Sequence, residues 1–179
     1  MNIFYLSNDP KECAQWHNNR HSIKMLVELV QILSTAHRVL DGIEILTVSK
    51  SGRKIKRWKL NDERDTILYK STHINHPSNL WVRKSNSNYI WLHQLLKELC
   101  KEYTYRYGKI HKCEVCGLVK ILETPPNNIP HKEFTPVTPA MPKECIIQND
   151  SIASYRNYYI THKRHLAEWK SRDKPYWYK

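Results

Sequence analysis

Phenylalanine is scarce in this 179-residue chain, with two Phe against eleven Tyr and six Trp. Rings with a polar handle suit half-wet grooves and base stacking as well as cores, so the skew leaves both uses open. Long apolar runs are missing. Nothing approaches the roughly 18–20 residues that a membrane span needs, and no basic amphipathic helix with an apolar underside stands out, which excludes a membrane partner. No internal repeat or low-complexity tract is present. Metal-hydrolase signatures are lacking too: the zincin pattern needs Glu directly after its first His, where this chain has Asn18 after His17, and no His-Asp dipeptide occurs. The five cysteines are an odd number and no apolar leader follows the start, so a reduced, cytoplasmic setting is expected.

Acidic residues are the minority: 17 Asp and Glu face 29 Lys and Arg, a formal charge of +12. That balance favours polyanionic partners, DNA first among them, and says nothing about fold. The length fits a single domain, 1–179, able to bury about two-thirds of its unfolded surface.

Local signals predict a mainly α, compact helical bundle with a small β-hairpin insertion. Asp9-Pro10 with Glu12 has the cap, first-turn proline and third-position acid of a helix start. The helix then runs to Leu40, where Asp41-Gly42 stops it. Residues 43–60 alternate weakly around Ser51-Gly52 as a hairpin, whose basic second arm is either a protected edge or a phosphate-tracking arm. A helical region from Leu80 to Tyr107, with a possible break at 85–87, ends at Gly108, and 109–121 is a short helix or irregular. The six prolines of 123–142 exclude regular structure there. A last helix is expected from Asp150 to about Lys170.

On the first helix His17, His21, Lys24, Glu28, Gln31 and Thr35 are spaced by steps of four and three residues. At about 100° per residue they stay within a sector of roughly 80°, a single polar file on an otherwise apolar helix. Such a file is either the solvated strip of a core helix or the lining of a pocket. Two imidazoles, an amine and a carboxylate within reach of one another are proton-transfer and substrate-holding groups, so the pocket is the expectation. Glu28 is the candidate carboxylate, with Lys24 and His21 as partners and His17 beside them; Arg20 and Gln31 join as substrate contacts. A metal on His17, His21 and Glu28 is the competing arrangement.

Elsewhere His73, His76, Trp81, Arg83, Asn88 and Tyr89 concentrate ring, guanidinium and amide groups in a loop and the helix start after it, a plausible seat for a nucleotide backbone. Glu102 and Arg106 pair at four-residue spacing on the helix surface. The stretch from Tyr105 to Lys112 interleaves aromatic and basic residues, as a nucleic-acid edge does. Cys113 and Cys116 have zinc-knuckle spacing but form a single pair, so no metal and no cofactor is assigned, with zinc on that pair as the alternative.

The order His17-x3-His21-x2-Lys24-Met25-x2-Glu28-x2-Gln31, then Thr72-His73-x-Asn75-His76-Pro77-x3-Trp81-x-Arg83, Asn88-Tyr89-x-Trp91, and Glu102-Tyr103-x2-Arg106-Tyr107-x-Lys109, resembles a group of small phage-encoded proteins. These in turn look distantly like the pyrimidine-dimer DNA glycosylases of the endonuclease V type. The resemblance implies a helical single domain, a catalytic Glu matching Glu28, and an N-terminal amine that attacks the sugar to form an imine. That family exposes a small second residue by removing Met1, whereas here the second residue is Asn2; imine formation by Lys24 or simple hydrolysis are the alternatives.

The expectation is a monomeric, cytoplasmic, DNA-directed N-glycosylase, with or without lyase activity, acting on a damaged or modified base. Arg83, Arg106 and Lys109 are its phosphate contacts, and Trp81, Tyr89 and Trp91 its stacking or pocket walls. Two other classes stay open: an enzyme acting on a free nucleotide or nucleoside, and a non-catalytic phage protein binding a host factor.

Overall fold

The computed structural model describes residues 1–49 and 51–179. Lys50, inside the expected hairpin, lies outside the described residues. The chain opens with an extended, buried segment to Ser7, and eight α-helices and one hairpin follow among the described residues.

The capping signal at Asp9 is realised: its side chain accepts from the Glu12 amide at 2.7 Å and starts α1, Pro10–Trp16. The expected single helix to Leu40 is instead two. The Asn18 side chain accepts from the His21 amide at 2.9 Å and caps a new helix, α2, Asn19–Asp41. The carbonyls freed at the break are taken elsewhere: Arg106 bonds the carbonyls of Gln15 and His17 at 2.8 and 2.9 Å, and the Trp169 indole that of Trp16 at 2.9 Å. With donors supplied from distant segments, ending α1 costs no orphaned carbonyl. His17 therefore stands at the C-cap of α1, off the file carried by α2.

Gly42 ends α2 as expected, packed so closely that an added Cβ would lie 2.4 Å from the Arg38 carbonyl. The hairpin follows as β1, Ile43–Val48, and β2, Lys54–Lys59, antiparallel with Ile43 opposite Lys59 and Val48 opposite Lys54. Arg38, nearly buried, hangs it on α2: its guanidinium donates to the carbonyls of Trp58, Asp65, Leu68 and Tyr69 and pairs with the Asp65 carboxylate at 2.6 Å.

After α3, Arg64–Ile67, a loop leads to α4, Pro77–Val82, and α5, Asn86–Tyr107, with Ser85 capping α5 at the anticipated break. Gly108 closes α5 in the left-handed region at φ +62°. Two single-turn helices, α6 Lys112–Val115 and α7 Leu118–Ile121, fill 109–121. Residues 123–142 run without regular structure but as a strap bound to the body: Thr135 accepts from the Trp81 indole, Lys132 from Ser85, and Ala140 from the Asn2 amide side chain.

The last helix, α8, Ser151–His162, stops well short of Lys170. Its end has no cap; the chain makes a 3₁₀ turn and runs back to the α1–α2 junction, where the Lys170 amide bonds Asn19 at 2.7 Å. α5 is the central element, packed on α1 and α2, with α4 on α2. One buried cluster draws on Ile3, α2, α5, Val137 and Tyr178, and each buried Leu or Ile adds about 1.5–3 kcal/mol. Among the described residues no helix is long and apolar enough to cross a membrane.

Candidate active site around Glu28

α2 turns Arg20, Ile23, Lys24 and Val27 to solvent and holds Glu28 and Gln31 half-buried, while His21, Met25 and Leu29 point inward. The Lys24 ammonium lies 2.8 Å from one Glu28 oxygen, one turn away. The other oxygen accepts from the Asn2 backbone amide at 3.0 Å and lies 3.7 Å from the Met1 amine. One oxygen of the carboxylate thus faces the Lys24 amine and the other the amide of Asn2 and the amine of Met1.

The first residues are held in place from several sides. Asn2 bonds the Ile3 amide and the Ala140 carbonyl. Phe4, at φ +53°, stacks on His21 with ring centroids 4.0 Å apart. Asn79, fully buried on α4, donates to the Met1 sulfur at 3.1 Å and to the carbonyls of Thr72 and His73. That amide ties the loop before α4 to the start of the chain. His73 in this loop sits at φ +46°, a conformation an L residue holds only when its surroundings impose it. His76 caps α4 through Nδ1, and its pKa is lowered by burial first, then by the amine charge at residue 1 and by His73, with Glu28 pulling the other way. Gln31 donates to the Lys70 carbonyl at 2.7 Å, and Thr35 accepts from the Thr72 amide at 3.3 Å.

The structure therefore brings Lys24, Glu28, Gln31, His73 and His76 to one place and adds the first two residues. The remaining sequence candidates lie elsewhere. His17 and His21 are core groups rather than pocket walls: His17 Nδ1 bonds the Cys13 carbonyl at 2.7 Å and His21 Nδ1 the Tyr159 hydroxyl at 2.6 Å. Burial pushes the His17 pKa down to about 4 and that of His21 to about 2, the latter helped by the neighbouring His17. They bear on the site by seating Phe4.

The aromatic candidates are struts. Trp81 donates to Thr135, Trp91 to the Asn8 carbonyl at 2.7 Å, and the Tyr89 hydroxyl bonds Leu122 and His37, so each polar handle is spent inside. Asn88 is buried against Trp81 and Thr135, and Arg83 donates to the Ile74 carbonyl. Arg106 is buried, not a phosphate contact: it pairs with Glu102 at 2.6 Å, and Arg172 closes the other side at 2.8 Å. Burial raises the Glu102 pKa, and the bonds from Arg172 and Arg106 outweigh it, so the net shift is downward. Lys109 and Arg20 are exposed.

Cys113 is buried near the Tyr69 hydroxyl and Cys116 is exposed. Among the described residues no group of three or more His, Cys, Asp or Glu is arranged to hold a metal. Sequence reasoning missed Asn79 and Lys70; the first carries no local signal, and Lys70 reaches the site only through the folding of 60–72 against α2, where Gln31 bonds its carbonyl.

On a basic, mainly helical body, the first long helix thus sets the Glu28 carboxylate beside the amine of residue 1. Residues 1–115 match the family described as pyrimidine dimer DNA glycosylase, and the chain belongs to that family. Comparison with curated proteins and with solved structures gave no match.

Proposed function

We propose that this protein is a DNA N-glycosylase that releases a damaged or modified base and forms an imine with the sugar. The observation that carries the reading is the Glu28 carboxylate, 3.0 Å from the Asn2 nitrogen and 3.7 Å from the Met1 amine. Whichever of the two begins the mature chain, an amine stands beside the carboxylate. The unprotonated amine donates its electron pair to C1′ of the sugar as the bond to the base breaks, and the base leaves with that bond's electrons and takes a proton from solvent. Glu28 stabilises the cationic character that develops at C1′ and accepts the proton shed by the attacking nitrogen. Opening of the sugar ring then yields the imine, from which β-elimination would cut the strand.

Lys24 holds the second carboxylate oxygen and is itself an alternative nucleophile. His76, in the loop that Asn79 ties to the first residues, feels the charges of the amine, His73 and Glu28. The nucleotide would be swung out of the helix to reach these groups, at an expense of a few kcal/mol in stacking.

The test incubates the protein with ultraviolet-irradiated, abasic and modified-base DNA, adds borohydride, and maps any trapped adduct by peptide mass. An adduct on residue 1 or 2 supports the amine, and one on Lys24 transfers its role. Neither trapping nor base release with any DNA refutes the reading. Replacing Glu28 by Gln should lower base release about 10²–10³-fold with the fold retained, because Gln has the same shape and its carbonyl oxygen can still accept from the Asn2 amide.

A further inference from the structure

The basic hairpin was the motif whose use the sequence left open, and its register decides the question. Residues 43, 45, 47, 55, 57 and 59 share one face. Most of that face does not stand free: Ile45, Thr47, Ile55, Arg57 and Lys59, with Arg38, Lys70 and Ser71, line a half-open hollow of about 390 Å³. The cavity continues into a second hollow of about 410 Å³, lined by Gln31, Arg57, Tyr69, Lys70, Ser71 and Thr72. Gln31 is three residues beyond Glu28 on α2, about 4.5 Å along the axis. Bonds tie the path together, from Gln31 to the Lys70 carbonyl at 2.7 Å and from Arg57 to the Ser71 carbonyl at 2.6 Å.

The charge and chemistry along this path are of one kind. Arg57, Lys59 and Lys70 border it and form no ion pair among the described residues, though Lys59 is near enough to help hold the Asp65 carboxyl low. The acid at its wall, Asp65, is engaged by Arg38 and by the Leu60 amide. Between the cations stand Ile45, Ile55 and Tyr69, half-buried or exposed platforms. Cations alternating with flat or apolar platforms in a groove fit a single nucleic-acid strand, whose phosphates and unpaired bases alternate in the same way. A duplex, whose bases are stacked inside, would use the cations and leave the platforms idle.

We infer that the groove under the hairpin is a track for single-stranded DNA, receiving the unpaired stretch of strand next to the nucleotide held at Glu28. Phosphates lie on Lys70, Arg57 and Lys59, and bases rest on Tyr69, Ile45 and Ile55. The inference rests on the DNA-directed reading above and adds a preference that reading does not require: lesions in opened or gapped DNA are bound more tightly than the same lesions in closed duplex.

The experiment measures anisotropy of a fluorescent oligonucleotide bearing a reduced abasic site, paired either with a full complement or with one gapped beside the lesion, across a salt series. The protein should bind the gapped form about ten-fold more tightly, as one stacked base contributes. The double variant K59A/K70A, which alters exposed lysines, should weaken gapped binding at least ten-fold and lower the slope of log affinity against log salt by about 1.4. A second variant, Ile45→Glu, puts a negative charge on a platform and should remove the gap preference. Thermal melts report whether each variant folds.

Equal affinity for gapped and closed DNA, or unchanged gapped affinity and slope in both folded variants, overturns the track and leaves the glycosylase reading standing. No binding to any DNA overturns both.

Discussion

At the scale of single residues, burial rather than residue type separated the functional candidates from the structural ones. Arg106 has the composition of a phosphate contact and the environment of a core strut, its guanidinium shared between Glu102 and the carbonyls of Gln15 and His17. Arg106→Ala should therefore destabilise the protein by about 3–5 kcal/mol, through an under-compensated buried carboxylate and two orphaned carbonyls. The salt dependence of DNA binding should stay as it is. Urea unfolding together with a salt titration reads both. Lys24 and Glu28 were legible because an i, i+4 ion pair depends only on helix periodicity. His17 and His21 were misread because the same periodicity says nothing about Phe4 and Tyr159, which cover them from the two ends of the chain.

These histidines also set an acid response. Burial holds His17 and His37 near a pKa of 4 and His21 near 2, against 6.5 in an unfolded chain. Above 6.5 the rings are neutral in both states and contribute nothing to the pH dependence. As pH falls below 6.5 the unfolded chain takes up protons that the folded one refuses, so stability drops by about 1.4 kcal/mol per pH unit for each histidine. For His17 and His37 the loss levels off near pH 4, and for His21 it continues towards 2. Urea midpoints between pH 7.5 and 4.5 should fall steeply below 6.5, and a flat profile would refute the assignment.

At the scale of elements, what the sequence disclosed was what neighbouring residues decide. The cap at Asp9, the stop at Gly42, the hairpin turn at Gly52 and the left-handed end at Gly108 are local chemistry and appear where expected. The break between α1 and α2 was hidden because its carbonyls are satisfied by Arg106 and Trp169, far along the chain. The hairpin's orientation was hidden for the same reason, since it depends on Arg38. Arg38→Ala should release the hairpin from α2 and cost about 3–5 kcal/mol by exposing Asp65 and several carbonyls. Limited proteolysis should then cut first between Arg53 and Lys59. Equal resistance in the variant would show that the cavity wall stands without Arg38.

At the scale of the whole molecule, the matched family region ends at residue 115, yet the core does not. Tyr159 holds His21, Ala140 holds Asn2, and Val137, Tyr155 and Tyr178 complete the buried cluster. The site at Glu28 is thus assembled from the first residues, α2, the His-Pro loop and the strap, which periodicity could name separately but not join.

The strap carries a consequence in time. All six of its prolines follow trans peptide bonds in the folded protein. Each X–Pro bond is cis in about 10–30% of unfolded chains, so of order half or more of those chains begin refolding with at least one wrong isomer in the segment that closes over Asn2, Trp81 and Asn88. Recovery of the closed site should lag behind helix formation by tens of seconds at 25 °C. A prolyl isomerase should shorten that lag, and a brief unfolding pulse, too short for the bonds to equilibrate, should abolish it. Stopped-flow circular dichroism set against tryptophan fluorescence would separate the two events; recovery in a single fast phase after prolonged unfolding would show that the strap closes whatever its isomers.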